Sequence, residues 1–295
     1  MNIIIVGASS GIGMATAREF LRLGHRVGVA ARRSSPLLAL QAEYPTQVVF
    51  AAIDINAPEA ATRLLQLAED LGGMDVYLHS SGVGHENKEL DPDIELDIVQ
   101  TNASGFMRMV TAAFRYWTSR GQRGHLAAIT SVAGTRGLGI SPAYSATKRM
   151  QSQYLEALSQ ISHQGHHDIA ITDILPGFVR TDFIAKRNYP MVISPEKTAR
   201  HIVKGILHRR RRIVIGVIAC SSLCGLPSLA AFGNACPSLE SLFPTSACLT
   251  PATECLSLQT RPTSCVPDHE VAYFPINSGI IKQHSLTFTG KVSEC

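Results

Sequence analysis

Short apolar runs alternate with segments of helical periodicity through the first 215 residues. The runs have the length of buried parallel strands, and we expect seven of them, at 2–6, 27–30, 48–53, 76–79, 126–130, 169–175 and 213–215. Apolar residues spaced three or four apart predict helices at 12–23, 35–43, 57–71, 92–119, 142–162 and 195–208. This strict alternation predicts an α/β fold, a Rossmann-type doubly wound parallel sheet of about seven strands with helices on both faces.

The pattern ends after residue 215, and the composition changes with it. The chain has 295 residues and a net charge of +4, a weak excess that gives no reason to expect nucleic-acid binding. All seven cysteines lie in 216–295, where only three basic and five acidic residues occur. We therefore expect a dinucleotide-binding catalytic domain over 1–215 and an atypical, poorly structured tail rich in Cys, Ser and Pro over 216–295.

A glycine-rich loop joins the first strand to the first helix. Glycines at such a junction let a pyrophosphate approach the backbone, and the helix N-terminus offers it free N–H groups. The spacing is Gly-x-x-x-Gly-x-Gly, and the candidate cofactor-binding residues are Gly7, Ser9, Ser10, Gly11, Ile12 and Gly13. This context predicts a dinucleotide site.

The second strand ends in two basic residues, Arg32 and Arg33. An NAD-selecting site would have an acidic residue here to hold the ribose 2′-OH. Guanidinium groups suit a 2′-phosphate instead. We predict NADP(H) as the preferred cofactor, with NAD(H) as the alternative, and Arg32 as the main selecting residue, with Arg33 second. Both arginines could also be solvated loop charges.

Tyr144 and Lys148 stand four residues apart on a predicted helix, so both side chains lie on one face. A neighbouring cation lowers the pKa of a phenol, which is ordinarily about 10. Ser131 follows the fifth strand at its carboxyl end, where open α/β sheets bind ligands. The three residues together predict acid–base chemistry.

With these motifs the chain resembles the classical short-chain dehydrogenase/reductase family over roughly residues 1–215. The resemblance implies NADP-dependent interconversion of a carbonyl and an alcohol by hydride transfer. It implies that Tyr144 is the acid/base and that Ser131 polarises the carbonyl. It further implies that Lys148 binds the nicotinamide ribose and lowers the pKa of Tyr144, and that Asn102 supports a proton relay through water.

Further cofactor contacts are implied by the same resemblance. Asp54 would contact the adenine, although it could instead cap the helix at 57–71, a role for which Asn56 is better placed. The segment Ser80-Ser81-Gly82 departs from the family's usual Asn-Asn-Ala-Gly sequence. The remaining implied cofactor contacts are Ser80, Ser81, Gly82, Ile55, Pro176, Gly177, Val179 and Thr181, and 183–191 would form part of a substrate lid.

The expected partners are a small-molecule carbonyl or alcohol and further copies of the chain. The resemblance implies a homodimer or homotetramer built through the helices at 92–119 and 142–162. No metal is expected, because the histidines lack partners at ligand spacing and the nicotinamide carries the hydride. Two alternatives remain, a dinucleotide-binding regulatory protein without turnover and a membrane-associated lipid ketoreductase.

The C-terminal region leaves several readings open. The first six residues lack the features of a secretory signal, which favours a cytoplasmic location. An arginine run at 209–212 before an uncharged stretch at 213–239 allows weak, peripheral membrane contact. The cysteines form no Cys-x-x-Cys pair, which favours free thiols. A frame-shifted C-terminus would also explain the composition, since offset codon readings of 215–221 and 232–237 permit basic, aromatic sequences.

Overall fold

The computed structural model describes residues 1–181 and 192–216, which contain a seven-stranded sheet. Every strand pair is parallel, in the order β3-β2-β1-β4-β5-β6-β7. The strands are β1 (Asn2–Val6), β2 (Arg26–Ala31), β3 (Val48–Ala52), β4 (Val76–His79), β5 (Gly124–Ile129), β6 (Ile169–Pro176) and β7 (Arg212–Ile215). The predicted fold class is confirmed. The expectations for the substrate lid and for the tail beyond Gly216 lie outside the described residues.

Helices cover both faces of this sheet. They are α1 (Gly11–Arg22), α2 (Ser35–Glu43), α3 (Ala60–Leu71), α4 (Pro92–Val99), α5 (Phe106–Thr118), α6 (Pro142–Gln164) and α7 (Pro195–Leu207). Helices α3, α5 and α6 pack on one face, and α1, α2 and α7 pack on the other. None of the helices in the described part of the chain is long and apolar enough to cross a membrane.

Strand β1 explains why the first apolar run is uninterrupted. Side chains alternate between the two faces of a strand. Ile3 and Ile5 join the core under α1 and α2, whereas Ile4 and Val6 join the core under α3 and α5. All four are fully buried, so a central parallel strand needs apolar residues at every position.

The helix predicted at 57–71 is shorter than expected. It begins at Ala60 with Glu59 as its N-cap, and the proline at 58 disfavours a helical conformation at residue 57. Neither Asp54 nor Asn56 caps this helix. The Asn56 side chain instead donates a hydrogen bond to Thr101 Oγ1 at 3.0 Å.

The helix predicted at 92–119 is divided. A π-helical turn, Gln100–Gly105, separates α4 from α5. Gly105 allows this turn to lie against the segment after β3, since a Cβ there would be 2.8 Å from Asn56 Oδ1 and 2.9 Å from Ile55 Cγ1. π-Helical turns occur often at functional sites, and this one contains Asn102.

The order of the strands reverses between β1 and β4. In open parallel sheets the crevice above the carboxyl ends at this point binds ligands. The loops after β1 and β4 meet there, with Ser80 donating its backbone N–H to the Val6 carbonyl at 2.7 Å.

Candidate active site

The glycine loop is packed too closely for side chains at its key positions. Gly7 has a φ of +94°, and a Cβ on it would be 2.5 Å from the backbone nitrogen of Ser81. A Cβ on Gly13 would be 2.2 Å from the Gly7 carbonyl oxygen and 3.0 Å from Ser80 Oγ. Ile12 packs against the apolar core below α1. The glycines therefore let the ends of β1, β4 and α1 come together.

The two arginines after β2 occupy different places. Arg33 Nη2 lies 3.3 Å from Ser9 Oγ and 3.4 Å from Ser10 Oγ, so it covers the glycine loop. Arg32 lines a cavity of about 330 Å³ at the ends of β2 and β3, which Asp54 also lines. We expected Arg32 to be the main phosphate contact, and the structure places Arg33 closer to the loop.

The predicted contacts after β3 separate into one exposed and one buried residue. Asp54 accepts a hydrogen bond from the Asn56 backbone at 3.0 Å and borders the cavity. The Ile55 side chain is buried beneath the π-helical turn, and its carbonyl accepts a hydrogen bond from Arg108 at 2.7 Å. The Ile55 side chain therefore belongs to the core, and its predicted cofactor contact stays a prediction.

The segment after β6 folds onto the glycine loop. Gly177, which follows Pro176, donates its backbone N–H to the Ile215 carbonyl at 2.8 Å, and Val179 forms a parallel bridge with Ile193. The Thr181 methyl group would be 3.0 Å from a Cβ on Gly11. This segment is therefore positioned as a side wall of the predicted cofactor site.

Ser131, Tyr144 and Lys148 meet at the carboxyl end of β5. Ser131 begins a 3-10 turn, Val132–Thr135, and accepts a hydrogen bond from the backbone N–H two residues later at 3.0 Å. This turn packs tightly on α6, since a Cβ on Gly134 would be 2.8 Å from the backbone nitrogen of Arg149 in that helix. The Ser131 hydroxyl hydrogen-bonds the Tyr144 phenol, and Lys148 Nζ lies 5.7 Å from the centre of the phenol ring.

Comparison with known proteins agrees with this arrangement. Residues 1–191 match the sequence model of the short chain dehydrogenase family. The chain belongs to the short chain dehydrogenase family. An uncharacterized oxidoreductase of Myxococcus xanthus strain DK1622 is 34% identical over 194 residues, which are 64% of this chain and 76% of that protein. The predicted resemblance and the prediction of an oxidoreductase of this family are confirmed.

Two solved structures of dehydrogenases and reductases share the fold. One is a 3-ketoacyl-(acyl-carrier-protein) reductase from Brucella melitensis complexed with NADH, with a TM-score of 0.66, 20% identity and coverage of 73% of this chain and 96% of the other. The second is an alcohol dehydrogenase from Thermococcus sibiricus complexed with 5-hydroxy-NADP, with a TM-score of 0.64, 23% identity and coverage of 74% and 97%.

Burial shifts the pKa values of two site residues in this short chain dehydrogenase. Burial raises the pKa of Tyr144 above its usual value, and the hydrogen bond from Ser131 opposes that rise. The Lys148 ammonium hydrogen-bonds the Ile129 carbonyl and Gln151 Oε1, both at 3.0 Å, and its lowering of the Tyr144 pKa stays a prediction. Burial lowers the pKa of Lys148 to about 8, and the charge of Asp173 acts in the opposite direction.

Asn102 is fully buried and uses its side chain to connect three elements. Its Oδ1 accepts the Val83 N–H at 2.9 Å, and its Nδ2 donates to the Val83 carbonyl at 2.7 Å and to Thr147 Oγ1 at 3.2 Å. Gly82 lies directly above, since a Cβ there would be 3.2 Å from Asn102 Oδ1. The amide therefore fixes the segment after β4 relative to α6.

Two residues of the site were not predicted. Gln151 bridges Lys148 and Asn102, and its signal in the sequence is a polar residue at a core position of α6, in line with the buried Leu155 and Leu158. Glu95 accepts the Ala143 N–H at the start of α6 at 3.0 Å. No local signal marks Glu95, because its partner is 48 residues away.

Within residues 1–181 and 192–216, no cluster of three or more His, Cys, Asp or Glu side chains is arranged to hold a metal ion.

Proposed function

We propose that this protein catalyses the NADP-dependent interconversion of a carbonyl compound and an alcohol, with Tyr144 as the acid/base. The observation that carries the proposal is that Ser131, Tyr144 and Lys148 converge at the carboxyl end of the sheet, where the glycine loop also lies. A protein that only bound the dinucleotide would not need this group of polar side chains beside its site.

The residues around the loop fit a nicotinamide dinucleotide. The backbone N–H groups at the start of α1 suit the pyrophosphate, and the cavity bordered by Asp54 suits the adenine. One structural neighbour was solved with NADH and the other with an NADP derivative. The preference for NADP in this chain is therefore argued from Arg33, which with the Ser9 and Ser10 hydroxyls forms a donor set suited to a 2′-phosphate.

Each of the polar side chains would have a separate role in the reduction. When bound, the nicotinamide supplies a hydride for the carbonyl carbon. Tyr144 donates its phenolic proton to the carbonyl oxygen, and its raised pKa keeps that proton in place at neutral pH. Ser131 orients the same oxygen by a hydrogen bond. Lys148 uses two N–H donors on protein acceptors and has a third for a ribose hydroxyl.

The cofactor preference is tested by nicotinamide fluorescence, with NADPH and NADH titrated against the full chain. We expect Arg33→Ala to weaken NADPH binding by about ten-fold or more and to leave NADH binding nearly unchanged, because only the 2′-phosphate needs the guanidinium. The same titrations on Arg32→Ala measure how much Arg32 contributes to NADPH affinity. Arg22→Ala is the matched control, since Arg22 pairs with Glu19 at the far end of α1. An equal loss of both cofactors in Arg33→Ala would contradict the preference.

Turnover is tested separately with a panel of aldehydes, ketones and ketoacyl thioesters. We expect Tyr144→Phe to abolish NADPH oxidation while NADPH binding persists, because the phenol supplies the proton but little cofactor affinity. NADPH binding by the wild type without turnover of any carbonyl would favour the regulatory alternative.

We also propose that copies of this chain associate through α4, α5 and α6. Leu96 and Val99 on α4 and Met107 on α5 are exposed, with 64%, 40% and 41% of their surface accessible. Exposed apolar side chains are typical of subunit contacts where they form a patch.

A further inference from the structure

Gln151 lies one turn beyond Lys148 on α6 and has no exposed surface. Its Oε1 accepts a hydrogen bond from Lys148 Nζ at 3.0 Å, and its Nε2 donates to the backbone carbonyl of Asn102 at 2.8 Å. One amide therefore joins the ammonium to the π-helical turn. A leucine would be the ordinary residue at such a core position, so the buried amide requires a reason.

The reason lies in the surroundings of the ammonium. In the described part of the chain, no carboxylate comes within 4 Å of Lys148 Nζ. A buried ammonium without a counter-ion needs neutral acceptors. The Ile129 carbonyl is one and Gln151 Oε1 is the other. These two bonds determine the direction of the remaining N–H.

The direction matters because of what lies next to the ammonium. A Cβ on Gly82 would be 3.5 Å from Lys148 Nζ, so the ammonium borders the loop after β4 at the switch point of the sheet. The resemblance to the family implies that Asn102 supports a proton relay through water, and this stays a prediction. In this protein the Gln151 side chain connects Lys148 Nζ to the Asn102 carbonyl directly.

We propose that Gln151 is a positioning residue: anchored by its Nε2 to the carbonyl of Asn102, it holds the Lys148 ammonium with its Oε1 and directs the free N–H of Lys148 toward the cofactor. This inference rests on the proposed function. Gln151 acts through Lys148 and needs no contact with substrate or cofactor.

Three other titratable groups face the ammonium. Tyr144 lies on the same helix. Burial, together with the charge of Lys148, lowers the pKa of His79 on β4 to about 3, so the His79 ring is neutral. Asp173 on β6 favours the charged form of Lys148. None of the three hydrogen-bonds to Gln151, so substitutions of Gln151 should change the Lys148 titration without removing these influences.

The first experiment titrates Lys148 directly in the full chain, by NMR with lysine labelled at the ε-carbon and Lys148→Met to assign the signal. Gln151→Leu and Gln151→Met remove an acceptor from a buried ammonium, so we expect the midpoint to fall by about one pH unit. Gln151→Glu supplies a carboxylate, so we expect the midpoint to rise by about as much. Gln153→Leu, at an exposed position of the same helix, should leave it unchanged.

The second experiment measures NADPH affinity by fluorescence between pH 6 and pH 10. Wild-type affinity should fall as pH rises through about 8, where Lys148 loses its proton. This fall should move to lower pH in Gln151→Leu and to higher pH in Gln151→Glu, opposite shifts that a merely structural role would not produce. Thermal melting identifies any variant that fails to fold.

The two proposals fail in different ways. A Lys148 midpoint that is the same in all three Gln151 variants as in the wild type would overturn the inference, even if NADPH binds and is oxidised. Absence of NADPH binding by the wild type at every pH would overturn the proposed function, and with it the role of Gln151 toward the cofactor. Opposite shifts in both experiments support both proposals.

Discussion

His79 and His125 are buried in the sheet and remain neutral where exposed histidines begin to take up protons. Burial lowers the pKa of His79 to about 3 and that of His125 to about 4. His79 Nδ1 shares a hydrogen bond with the Tyr77 hydroxyl at 2.8 Å, and His125 Nε2 shares one with Thr172 Oγ1 at 2.7 Å. Burial therefore favours the neutral form of both rings.

This predicts a loss of stability in mild acid. Because the folded pKa values lie below the unfolded value of about 6.5, the unfolded chain binds more protons as pH falls. The contribution of the two histidines to stability is complete above pH 6.5. We expect the free energy of unfolding to decrease by about 1.4 kcal/mol per pH unit for each histidine between pH 6.5 and its folded pKa. Urea unfolding at pH 7, 6 and 5 measures this.

The matched variants are His125→Gln, in the sheet, and His163→Gln, at the exposed end of α6. The first should reduce the pH dependence of the unfolding free energy, because one buried ring is gone, and the second should retain the wild-type slope. Equal slopes in all three proteins would show that the buried rings do not control acid stability.

At the scale of elements, α6 depends on a contact from α4. The helix begins at Pro142, and Glu95 accepts the Ala143 N–H at 3.0 Å while its other oxygen accepts from Asn87 at 2.9 Å. A carboxylate at a helix N-terminus satisfies a free donor and matches the helix dipole. Tyr144 is the next residue, so this contact places the first turn that carries the phenol.

We expect Glu95→Ala to lower the free energy of unfolding by about 1–2 kcal/mol and to reduce turnover more than NADPH affinity. Glu95→Gln keeps an acceptor and should recover most of the stability. Glu156→Ala is the control, because the ion pair of Glu156, on α6, with Arg211 is a long surface contact of 3.9 Å and of small energetic value. Equal effects of the two alanine variants would contradict a capping role, and denaturant unfolding and steady-state kinetics measure both.

The limits of the sequence as a guide also appear at this scale. Strands were predictable to within two residues because an uninterrupted apolar run such as Ile3 to Val6 has one stable place, inside a parallel sheet. The π-helical turn was not predictable, because it depends on Gly105 meeting Ile55 and Asn56 about 50 residues away. The same contrast holds in the site. Motifs located Ser131, Tyr144 and Lys148 on the chain. Only the fold brings Glu95 to α6 and Arg33 to the glycine loop.

For the whole molecule, the exposed apolar side chains of α4 and α5 predict self-association. Leu96 and Val99 precede the π-helical turn and Met107 follows it, so the contact would span the segment that holds Asn102. We expect the wild type to sediment as a dimer or tetramer and Leu96→Asp with Met107→Asp to sediment as a monomer, because burying two carboxylates in an apolar interface is strongly unfavourable.

The control is Leu38→Asp, which places the same charge on α2 at a site with similar exposure, 48%. If association steadies the π-helical turn, the double variant should also bind NADPH more weakly at low protein concentration, because Asn102 fixes both the loop after β4 and α6. Analytical ultracentrifugation combined with fluorescence titration tests the two effects together. A double variant that keeps the wild-type sedimentation coefficient would place the subunit contact elsewhere on the molecule. A monomeric double variant with unchanged NADPH affinity would mean that each cofactor site is complete within one chain.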